Sequence, residues 1–259
     1  MAHSIDYDKV ADLYDSYVRF EKDIPFFLEE ARRAAGPVLE LMSGTGRVSI
    51  PLVEAGIDLT CVDRSPGMLE VLRRRLAVRG LNSTLVTQDV RDLKLPSTYP
   101  LAFMPFHSFS ELVDPGDRRR AIVAIRECLS PGGRFTCTLH NPVVRLASIR
   151  PGPVTLGRFP QRDGEGEVEV VADFSFEPGT STVSGIQTVR RLGADGLLAE
   201  ERCLPVRFVL LEAEDFESLS RGAGFEIEAI HGDYDRSRFD SGASPYMIFS
   251  MRRSTEVGR

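Results

Sequence analysis

The stretch from Val38 to Ser49, Val-Leu-Glu-Leu-Met-Ser-Gly-Thr-Gly-Arg-Val-Ser, constrains this chain more than any other. Val38 and Leu39 close a short apolar run of the kind that a fully buried parallel strand needs. Ser43 to Gly46 then supplies a tight turn, and the run from Arg47 reads as a helix that ends at Gly56. Strand, two-glycine turn and helix together open a nucleotide-type βαβ unit. Glycines there let the backbone approach a ligand with no Cβ in the way, and the helix start offers unpaired N–H groups.

Two acids decide what such a turn would hold. Asp63 ends the next apolar run, Asp58–Asp63, seventeen residues after Gly46. A carboxylate at that place is set to accept both ribose hydroxyls of an adenosine ligand. Glu40 stands beside the turn, where negative charge repels a pyrophosphate and suits a cationic ligand. On these residues the chain resembles the class I S-adenosylmethionine-dependent methyltransferases, whose first motif is an acid, a few small residues and Gly-x-Gly. Here the motif reads Glu40-Leu-Met-Ser-Gly44-Thr-Gly46, with Met42 where many members have a first glycine. The resemblance implies S-adenosylmethionine as cofactor and S-adenosylhomocysteine as product. It also implies Glu40, Ser43, Gly44, Thr45, Gly46, Asp63 and Arg64 as cofactor contacts.

More of the chain follows the same family. Ser65 caps a helix with Pro66 at its first position. The residue matching Met68 often lies against the adenine, with plain core packing as its rival role. Asp89-Val90 resembles the next motif, an acid that accepts from the adenine amino group and an apolar neighbour for the ring. Pro100 to Phe109 reads as the fourth strand and its exit loop. In open parallel sheets, ligands bind at strand carboxyl ends where the strand order reverses. The exit loop from Pro105 to Glu111 is therefore expected to face the methyl group, with Pro105 and Phe106 at the cofactor and His107 of interest for the reaction. Pro131-Gly-Gly is a family turn before the fifth strand, Arg134–His140, which brings His140 beside the same pocket. His107 and His140 are the candidate catalytic bases; the competing role for each is structural, or solvent-facing for His107. His231 is a weaker candidate, and His3 lies in the terminus.

The rest of the chain sets the frame. Its 259 residues suffice for one large α/β domain with an insertion. A net charge of −6 argues against a nucleic-acid partner, and Arg73–Arg75 and Arg118–Arg120 sit in helical patterns that read as solvated faces. The four cysteines form no Cys-x-x-Cys pair, and the four histidines share no metal-ligand spacing, so neither a disulfide framework nor a metal is expected. No apolar run is long enough to span a bilayer and no secretory signal pattern opens the chain, which makes a cytoplasmic, membrane-free protein the expectation.

Residues 1–35 read as an amphipathic helical cap with a second helix starting at Pro25, and Tyr14 and Tyr17 resemble the tyrosines that close over cofactor and substrate in small-molecule methyltransferases. Residues 36–149 and 211–253 form the core. Residues 150–210 switch from helical periodicity to alternation and read as an inserted antiparallel β lid, and 254–259 as a disordered tail. The resemblance implies an α/β, Rossmann-like fold with a seven-stranded, mostly parallel sheet in the order 3-2-1-4-5-7-6. Lids of this kind often join two copies, so a homodimer is one expectation. The function expected is methyl transfer to nitrogen or oxygen of a small-molecule acceptor by in-line displacement. A non-catalytic S-adenosylmethionine-binding protein is the alternative. An NAD(P)-dependent oxidoreductase is a lesser one, because position 49 is serine rather than glycine and Glu40 stands where phosphates would approach.

Overall fold

Every residue of β1 (Val38–Leu41) and β2 (Leu59–Asp63) is buried, as parallel strands covered on both faces must be. These strands come from a computed structural model that describes residues 5–162 and 164–255. His3 and most of the expected tail lie outside the described residues.

The chain enters through a broken helical segment: a 3-10 turn at Tyr7–Val10, then α1 (Tyr14–Tyr17) and α2 (Ile24–Arg33). The first helical stretch ends at Val18, which is extended, and the second helix starts as expected with Pro25 in its first turn. After the glycine turn, α3 (Ser49–Glu54) starts two residues later than the pattern suggests. Arg47 stays in the turn, where both terminal nitrogens grip Asp23 and the guanidinium lies 4.8 Å from the Phe106 ring centroid.

β2 leads to α4 (Pro66–Val78), whose cap is Ser65, its Oγ accepting from Met68 N at 3.0 Å. β3 (Thr84–Thr87) and β4 (Tyr99–Met104) follow, then α5 (Pro115–Glu127), capped by Asp114. β5 (Leu129–His140) begins five residues before Arg134. The Pro131-Gly-Gly turn is absorbed into that strand as an irregularity: Tyr99 pairs with Leu129, but Leu101 already pairs with Arg134. Gly132 takes φ +72 there.

α6 (Pro142–Ala147) caps itself on Asn141. The lid then forms a separate four-stranded antiparallel sheet of β6 (Val154–Pro160), β7 (Glu167–Glu177), β8 (Thr182–Leu192) and β9 (Leu198–Val209). Only its last three strands are visible as alternating runs in the sequence. α7 (Ala213–Gly222), β10 (Phe225–His231) and β11 (Tyr246–Arg253) complete the core.

The main sheet runs β3-β2-β1-β4-β5-β11-β10, with β11 antiparallel to β5. Without the lid strands this is the expected 3-2-1-4-5-7-6 order. The order reverses between β1 and β4, which pair in parallel from Val38 and Leu101, so their carboxyl ends open one crevice. The lid closes over that crevice from two sides. Val168, Val170, Val189 and Leu204 bury Ile5, Val10 and Leu13 of the entering segment, and Arg202 pairs with Asp12. At the other end Val183, Phe208 and Leu210 pack with Leu146 and Ile149 around α6.

Candidate active site

The glycine turn is built by backbone hydrogen bonds to one acid. Asp63 accepts from Gly44 N through Oδ2 and from Ser65 N through Oδ1, each at 2.8 Å. Each oxygen keeps a lone pair, and burial raises the carboxyl above its ordinary value against the pull of these two donors. The two glycines do different work. Gly44 has φ +57 and nothing within 4 Å of where a Cβ would stand, so the turn faces open space. Gly46 has φ +84 and its Cβ would fall 2.2 Å from Leu72 Cδ1, so it is demanded by packing against α4. Met42 adopts φ +54, a conformation that glycine takes freely, and its side chain lines the crevice.

Glu40 is not the bare charge expected beside the turn. It is buried beneath it, Ser49 Oγ donates to Oε2 at 2.5 Å, and burial pushes its pKa up to about 8. Thr45 likewise turns away, donating to Asp15 Oδ1 at 2.6 Å, while Asp15 pairs with Arg75 at 2.7 Å. That network ties α1 to the turn.

Two of the cavities meet in the crevice at Met42, Asp63, Arg64 and Glu111. The larger, about 290 Å³, is lined on one side by Gly44, Asp63, Arg64 and Met68 and on the other by Phe106, His107, Glu111, His140 and Arg145. Tyr7 and Tyr14 come from the entering segment and Phe174, Val206 and Phe208 from the lid. The smaller, about 40 Å³, continues past Asp63 to Val62, Asp89 and Val90. Asp89 does not present a free carboxylate: it accepts from Arg91 N, Nε and Nη2 at 2.6 to 3.0 Å, and Arg91 bridges on to Asp117. Val90 is buried against the slot.

At the other end, Phe106 and His107 are consecutive residues at φ +58 and +63. Left-handed backbone at non-glycine residues costs of order 1 kcal/mol or more each and is found where the surroundings enforce it. Here it lays the His107 ring on His140, centroids 3.8 Å apart and 20° from parallel, with Tyr246 5.5 Å from His107. Burial drives the His107 pKa down to about 3 and holds His140 well below its ordinary value, so both rings are neutral at neutral pH. Nδ1 of His107 is buried with no hydrogen-bond partner among the described residues. Glu111, half-buried, accepts from Tyr7 Oη at 2.9 Å, and desolvation pushes it up to about 7.

A family model described as a methyltransferase domain matches residues 38–133. The structure is similar to that of the CcbJ methyltransferase from Streptomyces caelestis, at a TM-score of 0.80 and 27% identity, covering 95% of this chain and 97% of that one. The fold is that of the class I S-adenosylmethionine-dependent methyltransferases, and the methyltransferase-domain match lies on its first five strands. Its sequence is 33% identical over 132 residues to an uncharacterised methyltransferase of Mycobacterium tuberculosis, covering 51% of this chain and 49% of that one. It is 32% identical over 137 residues to a glycine/sarcosine N-methyltransferase of Halorhodospira halochloris, covering 52% and 51%. The chain thus spans about half the length of the curated relatives it matches.

The methyltransferase fold brings Tyr14, Gly44, Asp63, Arg64, Met68, Phe106, His107 and His140 around the larger cavity, and Asp89 and Val90 around the smaller. Glu40, Ser43, Thr45, Gly46 and Pro105 line neither. His231 stands outside both, its ring 6.3 Å from Phe26. Tyr7, Glu111, Arg145 and Phe208 are cavity residues that sequence reasoning did not single out. Glu111 belongs to the exit loop that the sequence does mark. Arg145 follows the Asn141-Pro142 helix start, a signal for a helix but not for a site. Among the described residues no helix is long and apolar enough to cross a membrane, and no group of three or more His, Cys, Asp or Glu has the geometry to hold a metal.

Proposed function

We propose that the chain transfers a methyl group from S-adenosylmethionine to the nitrogen of a small-molecule acceptor enclosed between the core sheet and the β lid. The observation that carries this reading is the single cavity shared by the Asp63–Gly44 turn and the His107–His140 pair. The turn fits the cofactor: Asp63 has oxygen lone pairs left for ribose hydroxyls, Gly44 leaves room above the backbone, and Met68 and Val90 offer apolar surface for adenine. When bound, S-adenosylmethionine supplies an electrophilic methyl on a good leaving group. Tyr14 and the lid residues Phe174 and Phe208 exclude water, and the closed walls hold the acceptor in line, which is worth roughly 7 to 11 kcal/mol in well-oriented reactions.

The histidine pair supports nitrogen over oxygen. A base with a pKa of about 3 is poorly matched to removing a hydroxyl proton at neutral pH. A neutral imidazole does accept a hydrogen bond from an N–H, aiming the amine lone pair at the methyl group. An amine that enters neutral needs no more than that. The names of relatives acting on glycine and sarcosine, both amines, support the same choice.

Calorimetric titration with S-adenosylmethionine, S-adenosylhomocysteine and NADH tests the cofactor. Binding of the first two, lost in Asp63→Ala, is the expected result; binding of NADH alone would overturn the reading. Formation of S-adenosylhomocysteine with an amine panel, and not with matched alcohols, tests the acceptor atom. If cofactor binds but no acceptor yields product, the chain is a binding protein instead.

A further inference from the structure

We propose that Arg145 is an anion subsite and that the acceptor methylated in this cavity carries a carboxylate near its nucleophilic atom. The inference rests on the methyl-transfer reading above and narrows its substrate class.

Arg145 lies on α6, five residues after His140, and lines the same cavity as the histidine pair, Leu156, Phe174 and Phe208. Other partly buried arginines around the site are neutralised by acids. Arg47 pairs with Asp23, Arg75 with Asp15, and Arg91 with Asp89 and Asp117. Arg145 has no acid within ion-pair distance among the described residues. Nη1 donates to Ser148 Oγ at 2.8 Å and the guanidinium carbon lies 5.3 Å from the Phe208 ring centroid, but a hydroxyl and a ring are both neutral. Nε is buried with no hydrogen-bond partner among the described residues. Burial alone pulls the guanidinium below its ordinary value, with no anion pushing back. A partly desolvated cation left this way is unfavourable unless something else supplies the negative charge.

The chemistry of the wall selects what that something is. A guanidinium fork matches a carboxylate through two parallel N–H donors. The other cavity cation, Arg64, stands at the turn beside Asp63 and Glu111, so Arg145 faces its ligand alone. One guanidinium neutralises one negative charge. A phosphate dianion would leave excess charge among Leu156, Phe174 and Phe208, whereas a carboxylate leaves none. The acceptor is therefore amino-acid-like: a carboxylate on Arg145, an amine at the His107–His140 pair and an apolar body against the lid.

The test uses 3-phenylpropanoate and its neutral amide, 3-phenylpropanamide, titrated into the full chain saturated with S-adenosylhomocysteine. Wild type should prefer the carboxylate by roughly 10- to 100-fold, the range expected for hydrogen bonds to a charged group. Arg145→Gln should erase that preference, and Arg145→Lys should keep part of it. Equal affinity for the two probes, no binding of either at millimolar concentration, or an unchanged preference in Arg145→Gln overturns the proposal. A melting temperature that falls in Arg145→Gln while the preference persists assigns the residue to packing on Phe208. Weakened S-adenosylhomocysteine binding in Arg145→Gln with an unchanged probe preference assigns it to the cofactor carboxylate, and also overturns the proposal. Absence of S-adenosylhomocysteine binding to wild type is a separate failure, that of the methyl-transfer reading itself.

Discussion

The two ends of the cavity are made by opposite means. At the glycine-turn end, ligand-facing geometry is backbone geometry: Gly44 and Ser65 present N–H groups to Asp63, and Gly46 is fixed against Leu72. At the β4–β5 end, geometry is made by side chains held in unfavourable states. His107 sits on left-handed backbone and two neutral imidazoles stack face to face; among the described residues, His107 Nδ1 has no hydrogen-bond partner and Arg145 no counter-ion. The first end is finished without a ligand, and the second is left unfinished. Unsatisfied buried polar groups persist where a partner arrives later, so the first end suits a constant ligand and the second a particular one.

The sharpest way to break this comparison is at Asp63. Asp63→Ala removes an acid that organises the turn and, on the proposed reading, two charge-assisted hydrogen bonds worth about 1.5 to 3 kcal/mol each to the cofactor. S-adenosylmethionine affinity by calorimetry should fall by about a hundredfold or more. A fall of less than tenfold would mean that this end does not bind the ribose.

The histidines give the next largest effect, and its size separates two roles. If His140 orients an amine through one neutral hydrogen bond, His140→Ala should lower turnover by about tenfold with cofactor affinity unchanged. A base role predicts losses of about a hundredfold or more. The pH–rate profile adds an independent check, since rings this far below 6.5 should produce no histidine inflection between pH 5 and 8.

The contrast between the two ends also explains what the sequence reveals. Backbone-made sites need glycines at φ values that other residues avoid and an acid at a strand end, so Gly44, Gly46 and Asp63 are readable as a motif. The seven-stranded order is implied by the family resemblance that this motif carries, not by the spacing of the strands themselves. Side-chain-made sites leave no such spacing. Arg145 and His140 line one cavity because α6 starts directly after β5, and Phe208 reaches it from a lid strand that pairs with β8 far along the chain. The first lid strand, Val-Thr-Leu-Gly-Arg-Phe-Pro, is invisible because it lies half-exposed at a sheet edge and has little apolar alternation to show. Glu40 was legible in place but not in charge state, because burial and the Ser49 hydroxyl are tertiary facts.

A smaller effect concerns acid stability. Folded His107 and His140 resist protonation, whereas unfolded histidine takes a proton near pH 6.5. Their contribution to stability is complete above pH 6.5 and is lost as pH falls toward the folded value, about 3 for His107. Replacing both with asparagine should flatten the decline in melting temperature between pH 6.5 and 4, relative to wild type. An equally steep decline in the variant would place the acid sensitivity elsewhere.

The smallest effect expected is at Glu40, and its smallness carries the information. Its folded pKa of about 8 lies above the unfolded carboxyl value, so its contribution is complete below about pH 4.5 and is lost as pH rises through about 8. Glu40→Gln mimics the protonated form and keeps an acceptor for Ser49 Oγ. It should match wild type at pH 5 within about 1 kcal/mol and gain on it toward pH 8. If the acid is neutral under the turn, S-adenosylmethionine affinity at pH 7 should change by no more than about threefold, since one pKa unit of lost charge interaction would already give tenfold. A tenfold or larger loss would mean that Glu40 acts on the cofactor as a charge, and that the glycine-turn end is completed by its ligand after all.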